Sequence, residues 1–184
     1  MNNSKNIFLQ MLVGLILIGA IFLMLKNNKK RSNSMSLTYE NNKEILKDFF
    51  NAWQEENLEI MSNSLTDDFR GYNYPIMNPK GISFTKEEFI ETWKNLFEDV
   101  DVEYGHTIFL PGIDTLNLEL DGSVRVYSAF LLKVNEQNID MSFYGTYDFR
   151  NDSIFQSHEF FDNSGLITEM KNAFETNDSI RYKD

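Results

Sequence analysis

From Asn138 to Phe149 the chain alternates. Ile139, Met141, Phe143, Gly145, Tyr147 and Phe149 fall in one row, and Asp140, Ser142, Tyr144, Thr146 and Asp148 in the other. Successive side chains of a strand point to opposite faces, so this period of two predicts a strand with one dry face and one wetter one. It is the middle of three consecutive antiparallel strands over 124–162. "NEQN" (135–138) turns the first pair and "RNDS" (150–153) the second.

A dry sheet face needs cover, and helical spacing supplies it upstream. Ile45, Leu46, Phe49, Phe50 and Trp53 form one apolar stripe, and Asn41 with Glu44 makes the capping box that starts the helix. Asn57 caps a shorter helix carrying Leu58, Met61 and Leu65. A strand over 69–74 ends at Pro75, and a loop with Asn78, Pro79 and Gly81 follows. Thr85 and Glu88 form a second capping box, opening a helix with Phe89, Ile90, Trp93 and Leu96 on one side. Val102, Tyr104, His106, Ile108 and Leu110 then share the face of a strand that ends in a Pro111–Gly112 turn. "LELDGSVRV" reads as a hairpin turning at Asp121–Gly122. Leu166, Ile167, Met170 and Phe174 predict a last short helix before a polar end. Helices gathered on one face of a curved antiparallel sheet place the chain in the α+β class.

The N-terminal pattern is different. Residues 7–25, IFLQMLVGLILIGAIFLML, hold one polar side chain, Gln10, and no charge. As a helix this run spans roughly 28 Å, close to the hydrocarbon thickness of a bilayer. A cleaved signal peptide has a shorter apolar region followed by small residues, whereas here "KNNKKR" (26–31) follows, as after a retained anchor. The expected partner is therefore a lipid bilayer, through residues 7–25 of a single transmembrane helix. Basic residues after the span outnumber those before it, so the positive-inside bias puts the globular part in the cytoplasm; a single Lys near the N-terminus also fits an exported signal-anchor, so an extracytoplasmic domain stays open. The expected organisation is an anchor with basic flank (1–31), a polar tether (32–40), one domain (41–175) and a polar tail (176–184).

Composition narrows the chemistry. Residues 1–39 hold five bases and no acid, which leaves twelve Lys and Arg against 28 acids in the remainder. A body that acidic repels phosphate backbones, so no nucleic-acid partner is expected. The absence of cysteine removes disulfides, thiolate zinc sites and cysteine nucleophiles together. No G-x-S-x-G, phosphate-binding glycine loop or H-E-x-x-H is present, and two histidines 52 positions apart do not make a metal site. No metal and no cofactor are expected.

The order of elements, with "FFNAWQEENLEIMSNSLTDDF" (49–69), "DGSVRVYSAF" (121–130), "YGTYDFRNDSI" (144–154) and "EFFDNSGL" (159–166), resembles the nuclear-transport-factor-2-like superfamily, in particular its SnoaL-like branch. The resemblance implies a cone-shaped, cystatin-like roll: a curved sheet wrapped around the long first helix, with a pocket in its open end. Ketosteroid-isomerase-like members move a proton with an Asp base, aided by a Tyr and a protonated Asp. This chain has Asn73, Phe49 and Gly145 at the corresponding positions, so that arrangement is not available to it.

By the same alignment Ser157, Glu159 and Phe161 face the pocket, and Glu159 is the one carboxylate expected inside it. A buried carboxyl near aromatics has a raised pKa and can serve as general acid or base; a hydrated or Arg-paired Glu at the mouth is the plainer alternative. His106 is the other catalytic candidate, against a role as pocket wall; His158 has the opposite parity and should point away. Trp53, Asn73, Phe130, Tyr147, Ser157 and Phe161 are the expected ligand-binding residues, although aromatics at these spacings serve equally well as core.

Three readings remain open. The leading one is a membrane-anchored domain that binds a small apolar or amphipathic molecule of unknown identity, with no established catalysis. The second is a lyase, cyclase or isomerase acting on a carbonyl compound through Glu159 or His106, with Asn73 and Tyr147 as polar partners. The third is an assembly module, such as a homodimer, which would need an apolar outer sheet face. An open pocket with a dry Glu159 would favour the enzyme.

Overall fold

The computed structural model describes residues 2–75, 78, 80–134, 137–162, 165 and 168–172, with side chains from residue 16 onward except 32 and 33. The order is α1 (Asn2–Gln54), α2 (Leu58–Asn63), β1 (Leu65–Pro75), β2 (Ile82–Thr85), α3 (Lys86–Leu96), β3 (Val100–Ile113), β4 (Leu120–Val134), β5 (Gln137–Arg150) and β6 (Ser153–Phe161). One open, curved six-stranded sheet, ordered β2-β1-β6-β5-β4-β3, packs against the helices, an α+β architecture. It is not wholly antiparallel as expected: β1 and β6 pair in parallel, while every other neighbouring pair is antiparallel. Parallel neighbours need a long connection, and here that connection is the rest of the sheet.

The expected alternation of β5 holds. Ile139, Phe143, Gly145 and Tyr147 are buried, Phe143 and Tyr147 against Phe50 of α1, and Asp140 and Ser142 are exposed. From α1 the sheet receives Leu46, Phe49, Phe50 and Trp53, all at most 4 % exposed. Burying one such side chain contributes about 1.5–3 kcal/mol. Asn57 caps α2 and Thr85 with Glu88 closes the capping box of α3, both as expected. The β5–β6 turn is also as expected: Asn151 and Asp152 have φ of 51° and 59°, the double left-handed pattern of a two-residue hairpin.

Four expectations are corrected. The helix does not start at Asn41; α1 is continuous through the tether at 32–40, a stretch with neither Gly nor Pro to stop it. Asn42 is instead a tertiary contact, its buried Nδ2 donating to the Gly122 carbonyl at 2.7 Å. The β3–β4 turn lies at 114–119, not at either expected glycine turn. Those two signals face each other across the hairpin as a register irregularity, with Gly122 at φ +84°. A short strand, β2, follows the Gly81 loop.

The fourth correction concerns His106. Tyr104 pairs with Phe130 but Thr107 with Ser128, so Gly105 and His106 together oppose Ala129 as a bulge. Alternation flips there. Thr107 and Phe109 turn inward, while His106, Ile108 and Leu110 face solvent. The outer sheet face is therefore less polar than β5 alone suggests. Tyr127, Tyr144, Phe160 and Tyr74 form a row with ring centroids 4.9, 5.8 and 4.7 Å apart.

Among the described residues no helix is long and apolar enough to cross a membrane. The side chains of 7–15, the first part of the expected span, lie outside the described residues; those of Ile16 to Leu25 are exposed along α1. Of the expected last helix, 168–172 are helical and Met170 packs on the core, whereas Leu166, Ile167, Phe174 and the tail at 176–184 lie outside the described residues.

Candidate functional site

A cavity of about 380 Å³ opens between α3, the C-terminal end of α1 and the inner sheet face. That is the lower part of the range for small-molecule pockets. Its walls are apolar. Trp53 from α1 meets Trp93 from α3 edge to face at 4.3 Å, and Phe130 stacks on Phe143 at 4.5 Å. Phe89, Leu96, Phe84 and Ile82 close one side; Val102, Leu132, Met141, Phe161 and Met170 close the other.

Polar groups converge on one part of this wall. The parallel pairing of β1 with β6 sets Asn73 beside Glu159, and the antiparallel pairing with β5 sets Gly145 on its other flank. A Cβ on Gly145 would lie 2.8 Å from the Tyr147 ring. Because glycine has none, the Tyr147 ring leans over that position and its hydroxyl donates to Glu159 Oε1 at 2.7 Å. Asn73 Oδ1, Trp53 Nε1 and the Tyr104 hydroxyl are buried with no hydrogen-bond partner among the described residues. An unmet buried polar group costs about 1–3 kcal/mol, which a ligand with matching groups would recover at Asn73 and Trp53, the two of these that line the cavity.

Electrostatics follow from enclosure. Glu159 keeps some exposure because it lines the cavity, but it sits deep in the protein, and burial raises its carboxyl above the ordinary value against the opposing pull of the Tyr147 hydrogen bond. Burial, reinforced by the charge of Glu159, holds the Tyr147 phenol well above its usual range, so it remains a donor. Tyr104 is pushed the same way for the same two reasons. The acid can hold a proton on its second oxygen and offer it to a bound molecule.

Of the expected residues, Trp53, Asn73, Phe130, Glu159 and Phe161 line the cavity. Tyr147 and Ser157 have the right parity but lie deeper, packed beneath Glu159 with Phe49 and Leu65. His106 is exposed on its bulge and outside the cavity. His158 points outward as expected, stacked on Tyr72 at 4.8 Å with Nδ1 3.2 Å from the Tyr74 hydroxyl. The α3 wall and β2 were missed. Phe89 and Trp93 form a helical stripe that reads as core, and a four-residue strand has no periodicity to find.

No family model matches the chain, and no curated protein matches it. Solved structures do. An LEH-like epoxide hydrolase from M. tuberculosis superposes with a TM-score of 0.55 at 14 % identity, over 73 % of this chain and 92 % of that one. A candidate polyketide cyclase from Xanthomonas campestris pv. campestris gives 0.59 at 10 %, over 72 % and 98 %. An NTF2-like protein from Burkholderia xenovorans gives 0.54 at 15 %, over 70 % and 95 %. The likeness is one of fold: the chain shares the fold of these three structures, one of them named NTF2-like.

Proposed function

We propose that this chain, with its nuclear-transport-factor-2-like fold, is a membrane-anchored domain whose cavity takes a small, mainly apolar molecule bearing one polar end. The observation that carries the reading is the aromatic cavity with the Glu159 carboxyl and an unpartnered Asn73 Oδ1 at one place in its wall. Apolar walls supply affinity, and the few polar groups fix orientation. For the anchor, the support is the uncharged run at 7–25, whose described part stands exposed away from the domain. The basic flank at 26–31 favours a cytoplasmic domain.

The test uses the chain's own reporters. Its two tryptophans, Trp53 and Trp93, both line the cavity. Native mass spectrometry of the gently purified full chain should find a retained small molecule, and titration of stripped protein with that compound should change tryptophan emission saturably. A chain that carries nothing, and whose emission ignores a panel of apolar acids, ketones and amines, sinks the reading.

Glu159 favours a second reading, acid–base catalysis on a carbonyl compound as a lyase, cyclase or isomerase. The neighbouring solved structures include a protein named as an epoxide hydrolase and another named as a candidate cyclase, so the fold accommodates such chemistry. Glu159 would move the proton, Tyr147 would hold its carboxyl in place, and Asn73 would orient the substrate. Turnover of the retained compound that Glu159→Gln abolishes without loss of binding would establish it; equal turnover in both proteins would exclude Glu159 as the acid or base. The aromatic outer row also offers a second copy a surface for a homodimer, to be read by sedimentation of the full chain.

A further inference from the structure

The turn between β3 and β4 carries leucines that the domain does not cover. Leu116 is 95 % exposed and Leu118 80 % exposed. The turn is firmly built: the Asp114 N–H donates to the Glu119 carbonyl and the Leu118 N–H to the Asp114 carbonyl. The Asp114 carboxylate accepts from the Leu116 N–H and from Asn117 Nδ2. Leu118 is held at φ 59°, a left-handed conformation uncommon for a leucine. Neither leucine is placed to fold back on the core.

The position of this turn follows from contacts along α1. Gln54 Oε1 accepts from the Tyr104 N–H, Asn42 Nδ2 donates to the Gly122 carbonyl, and the Tyr39 hydroxyl donates to the Phe109 carbonyl. Arg31 Nη2 pairs with Glu119 Oε2 at 2.6 Å. The hairpin therefore runs along the helix toward its apolar N-terminal part, and its tip lies beside Arg31. Arg31 lies six positions after Leu25, the end of the apolar run, or about 9 Å of helix. A headgroup layer is roughly 5–8 Å deep, so Arg31 stands at its outer edge and the uncovered leucines enter it by reaching inward from the turn. Lys26, Lys29, Lys30 and Arg31 occupy the same stretch, and anionic headgroups attract such a cluster.

We propose that the β3–β4 turn is a second membrane contact, with Leu116 and Leu118 entering the headgroup layer of the bilayer that anchors α1. The inference rests on the anchor reading above. Its occupant is the lipid surface, because the Arg31–Glu119 pair ties the turn to the basic flank rather than to a free face of the domain. Two contacts, one helix and one turn, fix the tilt of the domain on the membrane where one alone would let it swing.

The chain has no cysteine, so Leu116→Cys and, separately, Glu98→Cys near the far end of β3 give clean single-label proteins. Each full-length variant, carrying an environment-sensitive fluorophore, is reconstituted into phosphatidylcholine–phosphatidylglycerol vesicles with and without a lipid-borne quencher. The expected result is blue-shifted, lipid-quenched emission at position 116 and water-like emission at position 98, in protein that floats with the vesicles. Water-like emission at 116 in floating protein overturns the turn contact and leaves the anchor standing. A blue shift that the lipid quencher does not touch shows a protein occupant and also overturns it. Protein that fails to float removes the anchor, and this inference with it.

Discussion

Replacing Glu159 by Gln removes one titrating group and little else. The amide keeps an oxygen for the Tyr147 hydroxyl, which donates to Glu159 Oε1 at 2.7 Å, and its volume is nearly the same. Burial raises the Glu159 carboxyl above its ordinary 4.5. Between 4.5 and the raised value, the unfolded chain has released a proton that the folded chain keeps. The contribution of Glu159 to stability is therefore full below the ordinary value and is lost as pH rises through the folded one. One proton gives a slope of about 1.4 kcal/mol per pH unit, or roughly 2–5 °C in melting temperature for a domain of this size. The assay is thermal unfolding of the full chain and of Glu159→Gln in the same mild detergent, from pH 4.5 to 8, followed by emission of Trp53 and Trp93. Differencing the two curves cancels Asp148 and Glu56, whose carboxyls burial also raises. The variant should gain on the parent as pH rises, then run parallel to it. A difference that stays flat from the lowest pH would mean Glu159 is as well hydrated folded as unfolded, and the dry polar end of the cavity would not exist.

Tyr147→Phe leaves Glu159 Oε1 without its donor, costing about 1–3 kcal/mol. Because that hydrogen bond lowers the Glu159 value, its loss should move the carboxyl midpoint further up, as read from the infrared band of the protonated acid against pH. Phe130→Ala empties a site that is 6 % exposed and removes the stack on Phe143. About 3–5 kcal/mol of stability should go, toward the lower end because one side already faces the cavity, as chemical denaturation would show. Gly71→Ala would set a Cβ 2.0 Å from the Phe84 ring. That ring lines the cavity and must move, so ligand affinity should fall more than the 1–3 kcal/mol loss of stability typical of overpacking would suggest, in a fluorescence titration beside a melt.

Parity along a strand was legible, and depth was not. The row from Ile139 to Tyr147 declares its dry face because one buried face imposes a period of two. The same parity places Phe130 and Phe161, with Asn73 and Glu159, toward the interior, where the cavity is. Yet parity treats Ser157, Glu159 and Phe161 alike, although Ser157 is packed at 3 % exposure and the other two line open space. Depth depends on how far the covering helices reach, and α3 reaches β1 and α2 through contacts distant in sequence. His106 was misplaced because alternation was counted through a bulge, which glycine at 105 permits but does not announce. The helix start at Asn41 was misread for a related reason: a capping box is a local pattern, whereas Asn42 is held by a carbonyl 80 residues away.

The continuous α1 joins the two halves of the functional proposal. Trp53 is a cavity wall near its C-terminal end, and Leu25 ends the apolar run; the 28 positions from one to the other measure about 42 Å of helix. With the apolar run in a bilayer and the β3–β4 turn at its surface, the cavity lies at the far end of the domain. A ligand then reaches it through water rather than by lateral passage from the lipid. That favours a molecule soluble enough to cross tens of ångströms of solvent, yet apolar enough to be held by Trp53, Trp93 and Phe130. One polar group on an otherwise hydrocarbon body meets both demands, and the cavity wall is built the same way, with Glu159 and Asn73 set among aromatic rings.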